Sequence, residues 1–97
     1  MSDRQVHLTE RDVRALATPE SFDRGKHYYA EGAVVEVVYQ DGRLTGRVAG
    51  RRQEPYRVSV DLAGGAIGTS SCSCPYEWSG ACKHVVALLL ALINQPD

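Results

Sequence analysis

Four residues with metal-binding side chains lie close together near the end of the sequence. One residue separates Cys72 from Cys74, and after seven further residues Cys82 and His84 repeat that spacing. Three thiolates and one imidazole make up the complete tetrahedral donor set that Zn²⁺ takes in closed structural sites. We therefore predict one structural Zn²⁺ per chain, bound by these four side chains. The alternative is that they are small buried side chains without a metal, because cysteine is often fully buried.

The spacing within each pair indicates which element must carry it. Residues two apart on an extended strand point to the same side, so a strand can direct Cys72 and Cys74 at one ion. Two residues in a helix turn through about 200°, so Cys82 should precede a helix and His84 should lie in its first turn. The positive end of that helix, together with Lys83, would favour the net negative charge of such a site.

The donor set argues against a catalytic metal. Catalytic zinc keeps a coordination position open for water, whereas the four predicted donors fill the tetrahedron. The sequence contains neither His-Glu-x-x-His nor the deaminase pair of His-x-Glu and Pro-Cys-x-x-Cys. We therefore expect a binding module that is not an enzyme and has no small-molecule substrate.

Start and stop signals predict two helices in the N-terminal third. Thr9 and Asp12 form a variant capping box that opens the first helix. Thr18 followed by Pro19 opens the second, and Gly32 suits the left-handed position just past its end. The predicted helices run from Thr9 to Ala17 and from Pro19 to Glu31.

Alternating apolar residues predict a four-stranded antiparallel meander after these helices. Val35, Val37 and Tyr39 recur with period two, which is typical of a strand with one apolar face. Asp41-Gly42 favours a type I′ hairpin turn, because that turn needs positive φ at both central residues. The later strands are predicted from Leu44 to Ala49, from Tyr56 to Leu62, and from Ala66 into Cys72.

Length and composition limit the classes of protein. A chain of 97 residues fits one small domain, whose single core is often supplemented by a metal. Its net charge of -1 argues against general attraction to nucleic acid, so any basic site must be local. The start of the sequence has no signal-peptide pattern, and the longest apolar run, Val85 to Ile93, is far shorter than the roughly 20 residues of a membrane span. We expect a cytoplasmic protein whose thiols stay reduced.

Two surfaces are candidates for contact with a partner. The first is a group of five arginines around a single acidic residue, Glu54, which could contact phosphates or simply be solvated. The second combines Trp78, at the tip of a zinc knuckle between Pro75 and Gly80, with an apolar stripe on the last helix. That stripe is either buried by the N-terminal helices or docks on a partner. The arginines are Arg43, Arg47, Arg51, Arg52 and Arg57, and the stripe is Val86, Leu90 and Ile93.

The motif Cys72-Ser73-Cys74-Pro75 followed by Cys82-Lys83-His84 resembles the SWIM zinc finger, which has Cys-x-Cys, a variable spacer and Cys-x-His. The segment 21–34, with its Ser-Phe, Arg-Gly and Tyr-Tyr pairs, resembles the region before this finger in bacterial SWIM proteins. The resemblance implies a binding module found alone or at the N-terminus of bacterial Swi/Snf-type helicases. Related fingers occur in Mutator-type transposases, where DNA binding or protein interaction is the proposed role.

These observations combine into one expected architecture. We predict an α+β fold with two N-terminal helices, a four-stranded antiparallel β-meander, a zinc knuckle and a C-terminal helix. Residues 1–97 are expected to form a single SWIM-type domain, with the zinc finger proper at about 58–95. We expect it to bind nucleic acid, DNA in the first place, and the alternative is a protein-interaction module.

Overall fold

The elements follow one another in the order that the sequence predicts. The computed structural model describes residues 8–50, 54–62, 67–73 and 82–94. Within these residues, four strands form one antiparallel sheet in the order β1-β2-β3-β4, which confirms the α+β class and the meander. The predicted zinc knuckle falls on residues 74–81, which lie outside the described residues. The elements are α1 (Glu10–Leu16), α2 (Pro19–Ala30), β1 (Val34–Gln40), β2 (Arg43–Val48), β3 (Tyr56–Asp61), β4 (Ser70–Cys72) and α3 (Lys83–Ile93).

Both N-terminal helices begin at the predicted caps. The Thr9 hydroxyl accepts a hydrogen bond from the Asp12 amide at 3.4 Å, and the Asp12 carboxylate accepts one from the Thr9 amide at 2.9 Å. This is the reciprocal capping box. At the second helix, the Thr18 hydroxyl accepts from the Ser21 amide at 3.1 Å, and Pro19 occupies the first helical position. The caps thus satisfy backbone amides that have no partner within the helix.

The end of α2 turns the chain directly into the sheet. Gly32 has φ of +78°, the left-handed conformation expected for that position. Its amide donates to the Tyr29 carbonyl at 3.1 Å, and the Ala33 amide donates to the Tyr28 carbonyl at 3.0 Å. These two bonds form a Schellman motif, which ends α2 immediately before β1.

The first hairpin has the predicted turn but an irregular first strand. Asp41 and Gly42 have φ of 53° and 77°, as a type I′ turn requires. Near the start of β1, the register shifts between Val34 and Glu36, so Val35 is an extra residue without a partner on β2. The alternation predicted Val35 on the same face as Val37. The bulge instead leaves it 57% exposed, so that part of the prediction is wrong.

The fourth strand is shorter than predicted. It covers Ser70–Cys72 rather than starting at Ala66. The residues just before β4 form hydrogen bonds with Asp61 that do not continue the regular strand pairing. The Gly68 amide donates to the Asp61 carbonyl at 2.7 Å, and the Asp61 amide donates to the Thr69 carbonyl at 2.8 Å. The regular ladder between β3 and β4 therefore includes only three residues of β4, Ser70–Cys72.

The helix α3 lies between the sheet and the N-terminal helices. It contacts all four strands on one side and α1 and α2 on the other. A Cβ placed on Gly46 of β2 would lie 2.5 Å from the Leu88 side chain, and one on Gly25 of α2 would lie 2.5 Å from Val86. Leu88 thus faces the sheet and Val86 faces α2. This middle position explains why α3 is apolar around its circumference.

Candidate metal centre

The sheet and α3 each carry part of the predicted donor set. Cys72 is the last residue of β4, and the β3–β4 register pairs it with Val58, whose side chain is buried in the core. Residues paired across an antiparallel sheet lie on the same face, so Cys72 points toward α3 rather than toward solvent.

The start of α3 brings the second pair to the same place. Cys82 is the N-cap with extended backbone angles, and its carbonyl accepts the first helical hydrogen bond from the Val86 amide at 3.1 Å. His84 is therefore the second residue of the helix. This confirms the prediction that Cys82 precedes the helix and that His84 lies in its first turn.

The distances between these donor atoms fit a tetrahedral zinc site. His84 Nδ1 lies 3.6 Å from Cys72 Sγ and 3.9 Å from Cys82 Sγ. Zn–S bonds of about 2.3 Å and Zn–N bonds of about 2.0 Å, at the tetrahedral angle, separate sulfur from nitrogen by about 3.5 Å. All three donor atoms lie within 4.8 Å of one another. Cys72, Cys82 and His84 therefore fit three positions of one tetrahedral site. Cys74, the predicted fourth ligand, lies outside the described residues.

The imidazole of His84 is enclosed by aromatic rings. It is 3% exposed. The Tyr56 ring, at the start of β3, lies 4.4 Å from it between centroids with an interplanar angle of 35°. The Tyr28 ring, on α2, meets it edge-on at 5.4 Å. Nε2 is buried and has no hydrogen-bond partner among the described residues.

Comparison with known families agrees with this geometry. Residues 56–93, from the start of β3 to the end of α3, match the family model of the SWIM zinc finger. The chain contains a SWIM zinc finger. No curated protein and no solved structure matches the chain. The SWIM finger is a zinc-binding module, and the half-buried Cys72 with the buried Cys82 and His84 forms a donor cluster able to hold the ion.

Zinc bound by these residues would connect the two halves of the SWIM finger. Cys72 belongs to the edge strand β4, whereas Cys82 and His84 belong to α3. Metal binding there would therefore crosslink a three-residue strand to the central helix. Structural zinc in small fingers contributes about 10 to 16 kcal/mol of apparent binding free energy at pH 7.

Three of the five predicted arginines lie on the sheet surface opposite α3, outside the SWIM finger's metal centre. We call this surface the outer sheet face. Arg43, Arg47 and Arg57 are exposed there, and Arg47 Nε forms an ion pair with Glu36 at 3.2 Å. The outward residues of β2 and β3 are Arg43, Thr45, Arg47, Arg57, Ser59 and Asp61. Arg51 and Arg52 lie outside the described residues.

The predicted apolar stripe of α3 is largely internal. Val86 is 0% exposed and Leu90 is 2% exposed, whereas Ile93 is half-buried. Burial by the N-terminal helices is one of the two alternatives that the sequence left open. The structure places Val86 against Gly25 of α2, and it buries Leu90 one turn further along α3. Trp78 lies outside the described residues. Docking through Trp78 and Ile93 stays a prediction.

The sequence alone does not reveal the aromatic surroundings of the metal centre. Alternation predicts Tyr56 only as a strand residue, although its position two residues before Val58, the partner of Cys72, places it near the metal. No sequence signal connects Tyr28 with His84, because α2 and α3 are far apart in the chain.

Among the described helices, none is long and apolar enough to cross a membrane.

Proposed function

We propose that this zinc-binding module binds nucleic acid, DNA in the first place, through its outer sheet face. It serves within or alongside a DNA-acting machine such as a Swi/Snf-type helicase, as the resemblance in the sequence implies. The observation that carries the proposal is the exposure of Arg43, Arg47 and Arg57 on the sheet surface opposite α3. Phosphate contacts of this kind supply most of the affinity of nonspecific binding.

The arrangement of the arginines favours an anion. Arg47 on β2 and Arg57 on β3 are direct cross-strand partners. Like charges directly opposite each other are destabilising, and a bound phosphate would relieve that repulsion. The ion pair between Arg47 and Glu36 is about half exposed on both sides, so it contributes little and can exchange for a phosphate.

The sheet separates the nucleic-acid surface from the metal centre. Cys72 pairs with Val58 on the inner side, whereas Arg57 projects to the outer side. Zinc in this proposal has a structural role: four ligands leave no coordination position for a substrate, so the module is not an enzyme. Zinc bound by Cys72 would anchor the edge strand β4 to α3.

The proposal extends to the whole chain and its location. The two N-terminal helices cover α3, whose other side forms the core of the finger, so residues 1–97 act as one domain. Three cysteine thiols in a zinc site are maintained in the reducing cytoplasm, which supports a cytoplasmic location.

Salt dependence of DNA binding tests the proposal. Log affinity for duplex DNA falls with log salt at a slope of about -0.9 per phosphate contact. We expect fluorescence titration of labelled duplex DNA to show binding at low salt that weakens as salt increases. Arg57→Glu should weaken binding and flatten the slope by about one contact.

A variant with the same change in charge provides the control. Arg11 is exposed on α1, in the layer on the other side of α3 from the sheet. Arg11→Glu should leave both the affinity and the slope close to those of the unchanged protein. Equal losses in the two variants would show that only net charge matters and would contradict the outer sheet face as the binding surface.

The alternative is a protein-interaction module that docks through Trp78 and the C-terminal helix. Absence of DNA binding even at low salt, in zinc-loaded protein, would favour this alternative. In that case Trp78→Ala should abolish association with the partner, because buried aromatic anchors dominate such interfaces.

A further inference from the structure

We propose that His84 binds the zinc through Nδ1, and that Tyr56 is the residue that positions its ring. This inference rests on the zinc-binding function of the SWIM finger. It assigns the coordinating nitrogen, and it adds to the metal centre a side chain that is not itself a ligand.

The two imidazole nitrogens have different surroundings. Nδ1 faces both sulfurs, at 3.6 Å from Cys72 and 3.9 Å from Cys82. Nε2 points away from the cysteines into a buried position near Gly50, where an added Cβ would lie 3.5 Å from it. Only Nδ1 can therefore share one tetrahedral site with those two sulfurs.

The residues around His84 prevent zinc coordination through Nε2. The Tyr56 ring lies against the imidazole, with 4.4 Å between ring centroids, and the Tyr28 ring contacts it edge-on at 5.4 Å. Gly50 lies so close to Tyr56 that any side chain there would overlap the ring. Directing Nε2 at the cysteines would require the imidazole to move through space that these residues fill.

The residues that surround the His84 ring come from three separate parts of the fold. Tyr56 begins β3, Tyr28 lies on α2, and Gly50 follows β2. Tyr28 and Gly50 precede the segment 56–93 that matches the SWIM finger. The orientation of His84 thus depends on residues outside the finger as well as inside it, and this couples the N-terminal helices to the metal centre.

The nitrogen assignment can be read from the full chain loaded with zinc. Zinc on Nδ1 leaves the proton on Nε2, and long-range ¹H–¹⁵N correlation spectra distinguish this tautomer from the reverse. We expect a protonated Nε2 and a metal-bound Nδ1 for His84. Zinc-loaded protein with the proton on Nδ1 would overturn the inference and leave zinc binding intact. Failure to bind zinc would instead contradict the function on which it rests.

The role of Tyr56 is tested by zinc affinity, measured in competition with a chromophoric chelator. Loss of a residue that orients a ligand typically lowers metal affinity by about 10- to 100-fold. Tyr56→Leu should show such a loss, and Tyr56→Phe, which keeps the ring, should retain most of the affinity.

Tyr39 supplies a matched control for the loss of a ring. It is half-buried on β1 and pairs with the buried Leu44, and its side chain packs against the same core. Tyr39→Leu should leave zinc affinity within a few-fold of the unchanged protein. Equal losses in Tyr56→Leu and Tyr39→Leu would show a general effect on the core and would overturn the positioning role. A Tyr56→Leu protein with unchanged affinity would also overturn it.

Discussion

The contact between α2 and α3 at Gly25 allows a quantitative prediction, because two effects of Gly25→Ala oppose each other there. Alanine is favoured over glycine within a helix by about 0.5 to 1 kcal/mol, so propensity alone predicts stabilisation. The added Cβ would lie 2.5 Å from the Val86 side chain and 2.7 Å from the Lys83 carbonyl oxygen. Carbon atoms in favourable contact are about 3.5 to 4.0 Å apart, so the overlap is about 1 Å.

The overlap should decide whether Gly25→Ala stabilises or destabilises the fold. Forcing extra volume into a packed core costs about 1 to 3 kcal/mol, and a backbone oxygen cannot move aside as a flexible side chain does. We expect Gly25→Ala to lower the free energy of unfolding by about 1 to 2 kcal/mol. For a domain of this size each 1 kcal/mol corresponds to a change of about 4 to 8 °C in Tm.

The same overlap should reach the metal centre. Lys83 lies between Cys82 and His84 in the first turn of α3, so pushing α2 away at this point displaces both predicted ligands. Thermal unfolding of zinc-loaded protein and chelator competition should both be measured at fixed zinc concentration. We expect a lower Tm and a lower zinc affinity.

The exposed neighbour Lys26 provides the control on the same helix. Lys26→Ala changes helix propensity only slightly and should leave Tm nearly unchanged. A Gly25→Ala protein as stable as the unchanged protein, or more stable, would refute the close approach of α2 to α3 at this position.

Three further perturbations test the metal centre and the first hairpin. His84→Ala should reduce zinc affinity by more than the roughly 100-fold limit for non-ligand partners. His27→Ala removes an exposed contact with Glu31 and should leave the thermal melt unchanged. Equal shifts in Tm for the two variants would contradict a specific role of His84. Elemental analysis should find one zinc per chain, and chelation should lower Tm; a chelated protein with an unchanged melt would contradict a structural metal. Gly42→Val should cost at least about 1 kcal/mol in urea unfolding, because φ of 77° strains a branched residue, and an unchanged urea midpoint would contradict the type I′ turn.

Local chemistry accounts for the features that the sequence predicted correctly. The Thr9 and Thr18 caps, the left-handed Gly32 and the Asp41-Gly42 turn each depend on residues adjacent in the chain. The paired spacing of cysteine and histidine likewise indicated the strand end and the helix start. The side chains of residues i and i+2 lie on the same face of a strand but on different faces of a helix.

Features that depend on distant residues were decided only by the tertiary structure. The bulge at Val35 depends on how β1 aligns with β2, and alternation within one strand contains no information about its partner. The burial of Val86 follows from α2 packing on α3 at Gly25. The aromatic enclosure of His84 brings together α2, β3 and the residue after β2, which are separated along the chain. The sequence by itself therefore determined the local elements and the predicted ligand types, while packing determined which side of α3 meets which layer and which nitrogen of His84 faces the cysteines.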